Sequence, residues 1–124
     1  MDTKYYVINL DRSEERLRDI SLQFSKQSLE LERVVAVDGL SLNLESIADD
    51  IACRNEMGRS IQPGEVGCFL SHRRALEAFA LSKASYAVIL EDDAVLEDGF
   101  SERIGALSSF LSDNSHLRVW AINL

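Results

Sequence analysis

Three consecutive acidic residues, Glu91, Asp92 and Asp93, follow an apolar, strand-like run over residues 86–90. In an open α/β sheet, ligands bind beyond the carboxyl ends of the strands, so these carboxylates lie where a ligand is expected. Adjacent carboxylates repel one another unless a cation lies between them, and Mg²⁺ or Mn²⁺ is commonly held by one or two carboxylates plus substrate phosphates. The junction therefore suggests a metal-bridged phosphate ligand. The alternative is a solvated acidic turn.

Other residues with chemical potential are basic or sulfur-containing. Two groups of arginines are possible phosphate sites, namely Arg12, Arg16 and Arg18 in one group and Arg73 with Arg74 in the other. Exposed helical arginines are the commoner explanation for such groups. Cys68 and His72 share a face if their segment is helical, as half of a zinc site or a thiol–imidazole pair would require. No further soft ligand or orienting partner is identifiable, so a buried cysteine and a hydrogen-bonded histidine are the alternative.

The composition describes a soluble globular chain. Its 124 residues are 46% hydrophobic and 27% charged, which fits a single domain over residues 1–124. The 21 acidic residues outnumber the 13 basic ones, and the net charge of −8 disfavours nucleic acid and allows at most peripheral membrane association. No secretory signal is visible and no apolar run is long enough to span a bilayer, so we expect a cytoplasmic protein. A location at the inner face of the cytoplasmic membrane is the alternative. Cys53 and Cys68 form no C-x-x-C pair, which favours reduced thiols.

The elements that must position these residues alternate between strand and helix. A nearly continuous apolar run over 5–10 predicts a central strand, and residues 31–37 predict a second strand that ends at a turn formed by Asp38 and Gly39. Leu17, Ile20 and Phe24 recur at helical spacing, and Asp11 with Glu14 has the spacing of a capping box. The first helix is therefore expected to begin near Asp11.

The second half of the chain continues this alternation. A short helix carrying Ile47, Ala48 and Ile51 is expected to close near Gly58, and residues 62–65 open a longer helix. The apolar positions of that longer helix are Val66, Phe69, Leu70, Leu76 and Phe79. After the acidic strand, Ile104, Leu107 and Leu111 predict a last helix, and residues 117–124 predict a last strand. The fold class is thus α/β, with a Rossmann-like, mostly parallel sheet flanked by helices.

Several common activities lack their motifs. No G-x-G-x-x-G turn follows the first strand, which disfavours a dinucleotide dehydrogenase, and the phosphate-loop sequence G-x-x-x-x-G-K-[ST] is also missing. Ser71 lies outside the register of a G-x-S-x-G nucleophile elbow. A phosphoacceptor receiver domain would place its acid pair after the first strand, where this chain has residues 9–11. Common covalent chemistry is therefore unsupported.

Four blocks in this order resemble glycosyltransferase family 25, which includes bacterial lipooligosaccharide galactosyltransferases and animal collagen galactosyltransferases. The blocks are Val7-Ile8-Asn9-Leu10-Asp11-Arg12-Ser13 with Arg16, Val35-Ala36-Val37-Asp38-Gly39, the run from Pro63 to His72, and Val88-Ile89-Leu90-Glu91-Asp92-Asp93. They cover most of residues 5–100. The resemblance implies a GT-A type nucleotide-sugar-binding fold, a UDP-sugar donor such as UDP-galactose, a divalent metal, Mn²⁺ or Mg²⁺, and a saccharide acceptor in lipooligosaccharide assembly.

The resemblance also implies roles for individual residues. Glu91 and Asp93 match a D-x-D-like metal-binding element, and Asp92 is expected to hold metal or ribose, or neither. Arg12 is the expected phosphate contact, with Asn9 and Arg16 beside it, all near the end of the first strand. Asp38 is expected to accept hydrogen bonds from ribose or uracil, unless it is only a turn residue.

Further expected donor contacts lie at the start of the long helix. The backbone N–H groups around Gly64 and Glu65 can face pyrophosphate, because a helix N-terminus favours anions. His72 either reaches the donor or is a satisfied core histidine. Cys68 is interpreted as a small packing residue rather than a nucleophile.

The chain ends at Leu124 inside a predicted strand, so we expect a truncated unit that contains the donor half without the acceptor half. No acceptor-activating base can be assigned, and the isolated chain is expected to transfer sugar poorly. The exposed terminal strand is prone to pair with a strand of another chain, so a homodimer is one possible arrangement. The alternative function is a non-catalytic nucleotide-sugar-binding or regulatory module.

Overall fold

The fold is an α/β layer structure built on one parallel sheet. The computed structural model describes residues 2–43, 50–117 and 121–123, without the side chains of residues 50–53. The sheet contains β1 (Thr3–Asn9), β2 (Glu32–Val35) and β3 (Tyr86–Glu91), in the spatial order β2-β1-β3. The Rossmann-like prediction of a parallel sheet flanked by helices is confirmed in these residues.

Four helices and one short 3₁₀ turn connect and cover the strands. They are α1 (Glu14–Lys26), the 3₁₀ turn (Gly39–Ser41), α2 (Asp50–Met57), α3 (Pro63–Leu81) and α4 (Phe100–Asp113). None of the described helices combines the length and apolar character needed to cross a membrane. The predicted α2 residues Ile47 and Ala48 lie outside the described residues, as do residues 118–120 and 124 of the predicted last strand. Residues 121–123 of that predicted strand form neither helix nor strand.

The strand register brings the carboxyl ends of all three strands to one edge. Asn9 of β1 lies opposite Val35 of β2, and Ile8 lies opposite Glu91 of β3. Parallel strands whose last residues are level present their following loops side by side. The loops after β1, β2 and β3 therefore meet at this edge.

The central strand buries both faces of the sheet. Tyr6 and Ile8 pack with Val34 and Ala75 of α3 on one face. Val7 packs with Ile20 and Phe24 of α1 on the other face, where the aromatic rings of Tyr5 and Phe24 meet edge to face. The Phe100 ring of α4 also lies against Tyr5, so α1 and α4 share that face. Burial from Tyr6 to Asn9 explains why this part of β1 is nearly continuously apolar.

Helix α3 buries its small residues rather than its large ones. Gly67, Ser71 and Ala75, spaced by four, are buried, whereas Phe69 and Leu76 are 67% and 55% exposed. The large apolar residues Phe69 and Leu76 therefore lie mainly on the exposed side of the helix. A Cβ atom on Gly67 would approach the carbonyl oxygen of Val37 to 2.7 Å, so the helix backbone lies against the loop after β2. Only small side chains fit such a close approach.

The helix starts follow the sequence signals in part. Helix α3 begins at Pro63 as predicted, with the Gln62 N–H donating to Glu65 Oε2 at 3.4 Å. Helix α1 begins at Glu14 with Ser13 at the N-cap, so the predicted capping box of Asp11 is wrong. The Asp11 carboxylate instead accepts from Arg33 Nη2 at 2.8 Å, because Arg33 of β2 offers a charged partner.

Candidate functional site

A cleft of about 360 Å³ opens at the carboxyl edge of the sheet. Its lining combines the loops that follow all three strands with the first turns of α3. The lining includes five charged side chains and one imidazole, which belong to Arg12, Arg16, Asp38, Glu91, Asp92 and His72. This is the edge at which open α/β sheets bind ligands. The cleft therefore collects most of the predicted site residues.

Asn9 lies beneath the cleft and is only 2% exposed. Its Nδ2 donates to the Ser13 carbonyl oxygen at 2.9 Å and to Asp92 Oδ2 at 2.7 Å, while its Oδ1 accepts from Arg33 Nε at 3.0 Å. Both amide protons and the carbonyl oxygen therefore have partners inside the protein. Asn9 joins β2 to the loops after β1 and β3, which makes it a positioning residue. Its direct contact with a ligand stays a prediction.

Asp92 connects this buried network to the cleft. Its side chain is 11% exposed, and Oδ1 lies 3.6 Å from Arg16 Nη1 while Oδ2 accepts from Asn9. The long separation from Arg16 leaves that exposed guanidinium free to adjust its position. The structure thus brings the predicted residues Asn9 and Arg16 together around the carboxylate of Asp92, which was also predicted.

Arg12 and Asp38 form an ion pair across the mouth of the cleft. Asp38 also accepts from the Leu40 backbone N–H at 3.1 Å and so caps the 3₁₀ turn. The hydrogen bond from Arg12, followed by that from Leu40, holds the pKa of Asp38 below its usual value of 3.8. Only one nitrogen of the Arg12 guanidinium faces Asp38, and the group carries five N–H donors, so donors remain for a ligand.

Cys68, His72 and Glu91 form a second cluster inside the cleft. Glu91 Oε1 lies 3.4 Å from Cys68 Sγ and 3.4 Å from His72 Nε2. Cys68 is exposed and the His72 side chain is 41% exposed, so the interpretations of Cys68 as a buried packing residue and of His72 as a core histidine are wrong. Burial of part of the thiol, and then the adjacent carboxylate, raises the pKa of Cys68.

The start of α3 offers fewer groups for contact with a ligand than the sequence suggests. The Gln62 carbonyl oxygen accepts from the N–H groups of both Glu65 and Val66, at 3.1 and 3.3 Å. Glu65 is not part of the cleft lining, and its carboxylate pairs with Arg59 at 2.5 Å. Gly64 does line the cleft, and a Cβ atom there would meet nothing within 4 Å. Ligand contact at Gly64 is therefore geometrically open, whereas Glu65 is occupied in capping the helix.

The remaining predicted residues are not gathered with this group. Asp93 is exposed and does not line the cleft, so its role as a metal ligand stays a prediction. Arg73 pairs with Glu77 on the surface of α3 at 2.9 Å. Arg74 donates to the Val35 carbonyl oxygen at 2.9 Å. The second arginine pair therefore serves local structure.

Sequence reasoning missed two residues that build the site. Arg33 donates to the side chain and the backbone carbonyl of Asn9 and thereby ties β2 to β1. Ser71 is 1% exposed, accepts from the Val37 N–H at 2.8 Å and donates to the Gly67 carbonyl at 2.6 Å. The recurrence of small residues at 67, 71 and 75 was the available signal for Ser71, whereas Arg33 carried none.

Comparison with known proteins assigns this arrangement to a sequence family. A profile described as "Glycosyltransferase family 25 (LPS biosynthesis protein)" matches residues 2–123. The chain is 31% identical over 122 residues to a protein of Aedes aegypti named "Glycosyltransferase 25 family member", with 93% of this chain and 19% of that protein aligned. No solved structure matches the chain significantly.

Two further relatives carry different functional names. The human protein "Procollagen galactosyltransferase 2" is 29% identical over 108 residues, which cover 80% of this chain and 17% of that protein. The mouse protein "Inactive glycosyltransferase 25 family member 3" is 31% identical over 108 residues, which cover 82% of this chain and 18% of that protein. The chain thus spans less than a fifth of the length of these relatives.

Proposed function

The chain belongs to glycosyltransferase family 25, and we propose that it forms the donor-binding site of a metal-dependent hexosyltransferase. The proposed donor is a UDP-sugar, with UDP-galactose as the first choice, and the proposed acceptor is a lipooligosaccharide saccharide. The observation that carries the proposal is the cleft, in which two arginines and three carboxylates converge from separate strand ends. Basic and acidic groups together suit a diphosphate that arrives with a cation.

The charge of the cleft supports a metal with the donor. Its described lining holds the guanidiniums of Arg12 and Arg16 against the carboxylates of Asp38, Glu91 and Asp92, which leaves an excess of negative charge. A diphosphate adds more negative charge, so a hard divalent cation is expected to accompany it. Glu91 and Asp92 face the cleft and would supply carboxylate oxygens, with Asp93 as the further predicted ligand. When bound, the cation would neutralise charge on the departing nucleotide.

The chain's own residues have separable roles in this proposal. Arg12 and Arg16 bind phosphate oxygens, because guanidinium groups form charge-assisted hydrogen bonds with them. Asp38 accepts from the ribose or the uracil while it keeps Arg12 oriented. Asn9 holds Asp92 in position from below. Gly64 allows the diphosphate to approach the start of α3 closely.

Calorimetric titration with UDP and UDP-galactose, with and without Mn²⁺, tests the donor site. We expect binding that needs the cation, and Asp93→Asn and Glu91→Gln are each expected to weaken it by at least about ten-fold, because each removes a ligand charge. Asp98→Asn is the matched control, since Asp98 is an exposed acid outside the cleft lining. If the wild type and both variants bind the donor equally well, and if binding is the same with Mn²⁺ and with a chelator, the metal would be removed from the proposal.

A non-catalytic nucleotide-sugar-binding module is the second candidate. The observation that favours it is the mouse relative named inactive, which is 31% identical to this chain over 108 residues, the same identity as that of the Aedes aegypti family member over 122 residues. In addition, no residue is assigned as the base that would activate the acceptor hydroxyl. Incubation with UDP-galactose, Mn²⁺ and truncated lipooligosaccharide separates the two functions, because turnover releases UDP and a module only binds the donor.

A further inference from the structure

Cys68, His72 and Glu91 bring three different metal-ligating groups to one point. Their ligand atoms all lie within 4.8 Å of one another, and no other such group of three occurs in the part of the chain that the structure describes. Two of these residues come from α3, one turn apart, and the third is the last residue of β3. The cluster is therefore held by two ordered elements rather than by a loop.

We propose that this cluster is a binding site for a thiophilic divalent cation, with Zn²⁺ as the expected ion. One thiolate, one imidazole and one carboxylate form a three-residue ligand set that leaves a fourth position for water. Such a set differs from the oxygen ligands that Mn²⁺ and Mg²⁺ prefer. The site is thus distinct in chemistry from the cation proposed to accompany the sugar donor.

The observed distances suit a tetrahedral ion. Bond lengths of about 2.3 Å to sulfur and about 2.1 Å to nitrogen or oxygen place neighbouring ligand atoms roughly 3.4–3.6 Å apart. Glu91 Oε1 already lies 3.4 Å from both Cys68 Sγ and His72 Nε2. Only the separation between the sulfur and the imidazole, within 4.8 Å, has to shorten, which rotation of two partly exposed side chains permits.

The location also allows a metal ion to enter and to be retained. All three side chains line the cleft, and those of His72 and Glu91 are 41% and 51% exposed, so an ion reaches them without opening the fold. Zn²⁺ generally binds nitrogen and sulfur ligands more tightly than Mn²⁺ does. Because the cluster uses Glu91, bound Zn²⁺ would withdraw this carboxylate from the Mn²⁺ proposed at the donor site.

Titration of the reduced 124-residue chain with Co²⁺ tests the site without any nucleotide. We expect stoichiometric binding with a thiolate-to-cobalt charge-transfer band, the visible absorption of tetrahedral Co²⁺, and displacement of both signals by Zn²⁺. Cys68→Ser should abolish the charge-transfer band. His72→Ala and Glu91→Gln should each weaken binding by more than about ten-fold, since even groups that only support metal ligands are worth roughly 10–100-fold.

The sequence supplies matched controls, because it contains two cysteines and two histidines. Cys53→Ser and His116→Ala should keep both the charge-transfer band and the affinity, and circular dichroism should show that each variant keeps its fold. A band that survives Cys68→Ser, a band lost in Cys53→Ser, or an absence of stoichiometric Co²⁺ binding by the wild type would overturn the proposal. Any of these results would leave UDP binding untouched, so failure here is distinct from failure of the proposed donor site.

Discussion

The floor and the rim of the cleft differ in how their polar groups are satisfied. The floor comprises Asn9, Ser71 and the inner carboxylate Asp92, whose hydrogen bonds lie within the protein. The rim comprises Arg12, Asp38, His72 and Glu91. Their side chains are at least 31% exposed, so their contacts with one another are open to solvent. None of the described buried side-chain nitrogen or oxygen atoms lacks a partner.

This difference separates residues that maintain the cleft from residues that can meet a ligand. A buried amide with every donor and acceptor engaged cannot bind a ligand without breaking a native hydrogen bond, which is costly. An exposed guanidinium or carboxylate can exchange partners at little cost. Substitutions in the floor should therefore change stability, whereas substitutions in the rim should change binding.

The largest expected effect is that of Asn9→Ala on stability. The substitution removes hydrogen bonds to Asp92 and Arg33, both charged, and leaves these groups without that partner in a largely buried setting. We expect a loss of about 3 kcal/mol in the free energy of unfolding, measured by urea denaturation. His72→Ala on the rim is the control and should change it by no more than about 0.5 kcal/mol. Similar losses for both variants would erase the distinction between floor and rim.

Two glycines of α3 test the same distinction within a single helix. In Gly67→Ala the new Cβ would lie 2.7 Å from the Val37 carbonyl oxygen, so we expect a loss of about 1–3 kcal/mol in thermal or urea unfolding. Gly64→Ala meets nothing within 4 Å and should leave stability equal or slightly higher. If UDP-galactose lies against Gly64, this variant should still bind the donor more weakly, and unchanged affinity would place the diphosphate elsewhere.

A clear binding effect with only a small stability effect is expected for Arg12→Ala. Loss of a charge-assisted phosphate contact should weaken UDP binding about ten-fold, while uridine, which lacks phosphate, should bind as before. Arg18→Ala is the control, because this exposed arginine of α1 does not line the cleft. Calorimetry that gives the same loss for UDP and uridine would indicate a structural role for Arg12.

The smallest expected effect concerns the pKa of Asp38. Arg12 is the main reason that this pKa is depressed, so Arg12→Ala should raise it toward 3.8, and NMR titration of the carboxyl group can measure the change. The contact with Arg12 is present above the unfolded-state pKa and is lost as pH falls through the lower folded-state pKa. The variant should therefore be slightly less stable above the unfolded-state pKa of Asp38, and its free energy of unfolding should fall slightly less as the pH is lowered. An unchanged pKa would show that the ion pair does not persist in solution.

The strands and most helix starts could be predicted because their signals are local. The apolar run before Asn9 and the Pro63 start of α3 needed no distant information. The packed face of α3 could not be predicted from hydrophobicity, because it carries Gly67, Ser71 and Ala75 while the large residues Phe69 and Leu76 are exposed. Small residues were selected there by geometry.

The site was predictable in location but only partly in role. The ends of parallel strands identify the edge, so Glu91 was found from its position, and the family resemblance added the roles of Arg12 and Asp38. The role of Asn9 depended on partners 24 and 83 residues away in the chain, Arg33 and Asp92, which no local pattern connects to it. The cluster at Cys68 likewise became visible only when β3 placed Glu91 beside α3.

The backbone contact between α3 and the loop after β2 has a mechanical consequence. Cβ atoms on Gly67 or Gly39 would meet backbone atoms of the opposite segment, at 2.7 Å and 1.8 Å respectively, so no side chain separates the two segments. Without such a compressible layer, a displacement of one segment passes directly to the other. A molecule that draws Asp38 inward would carry the first turns of α3 with it, so the two sides of the cleft mouth respond as one rigid unit.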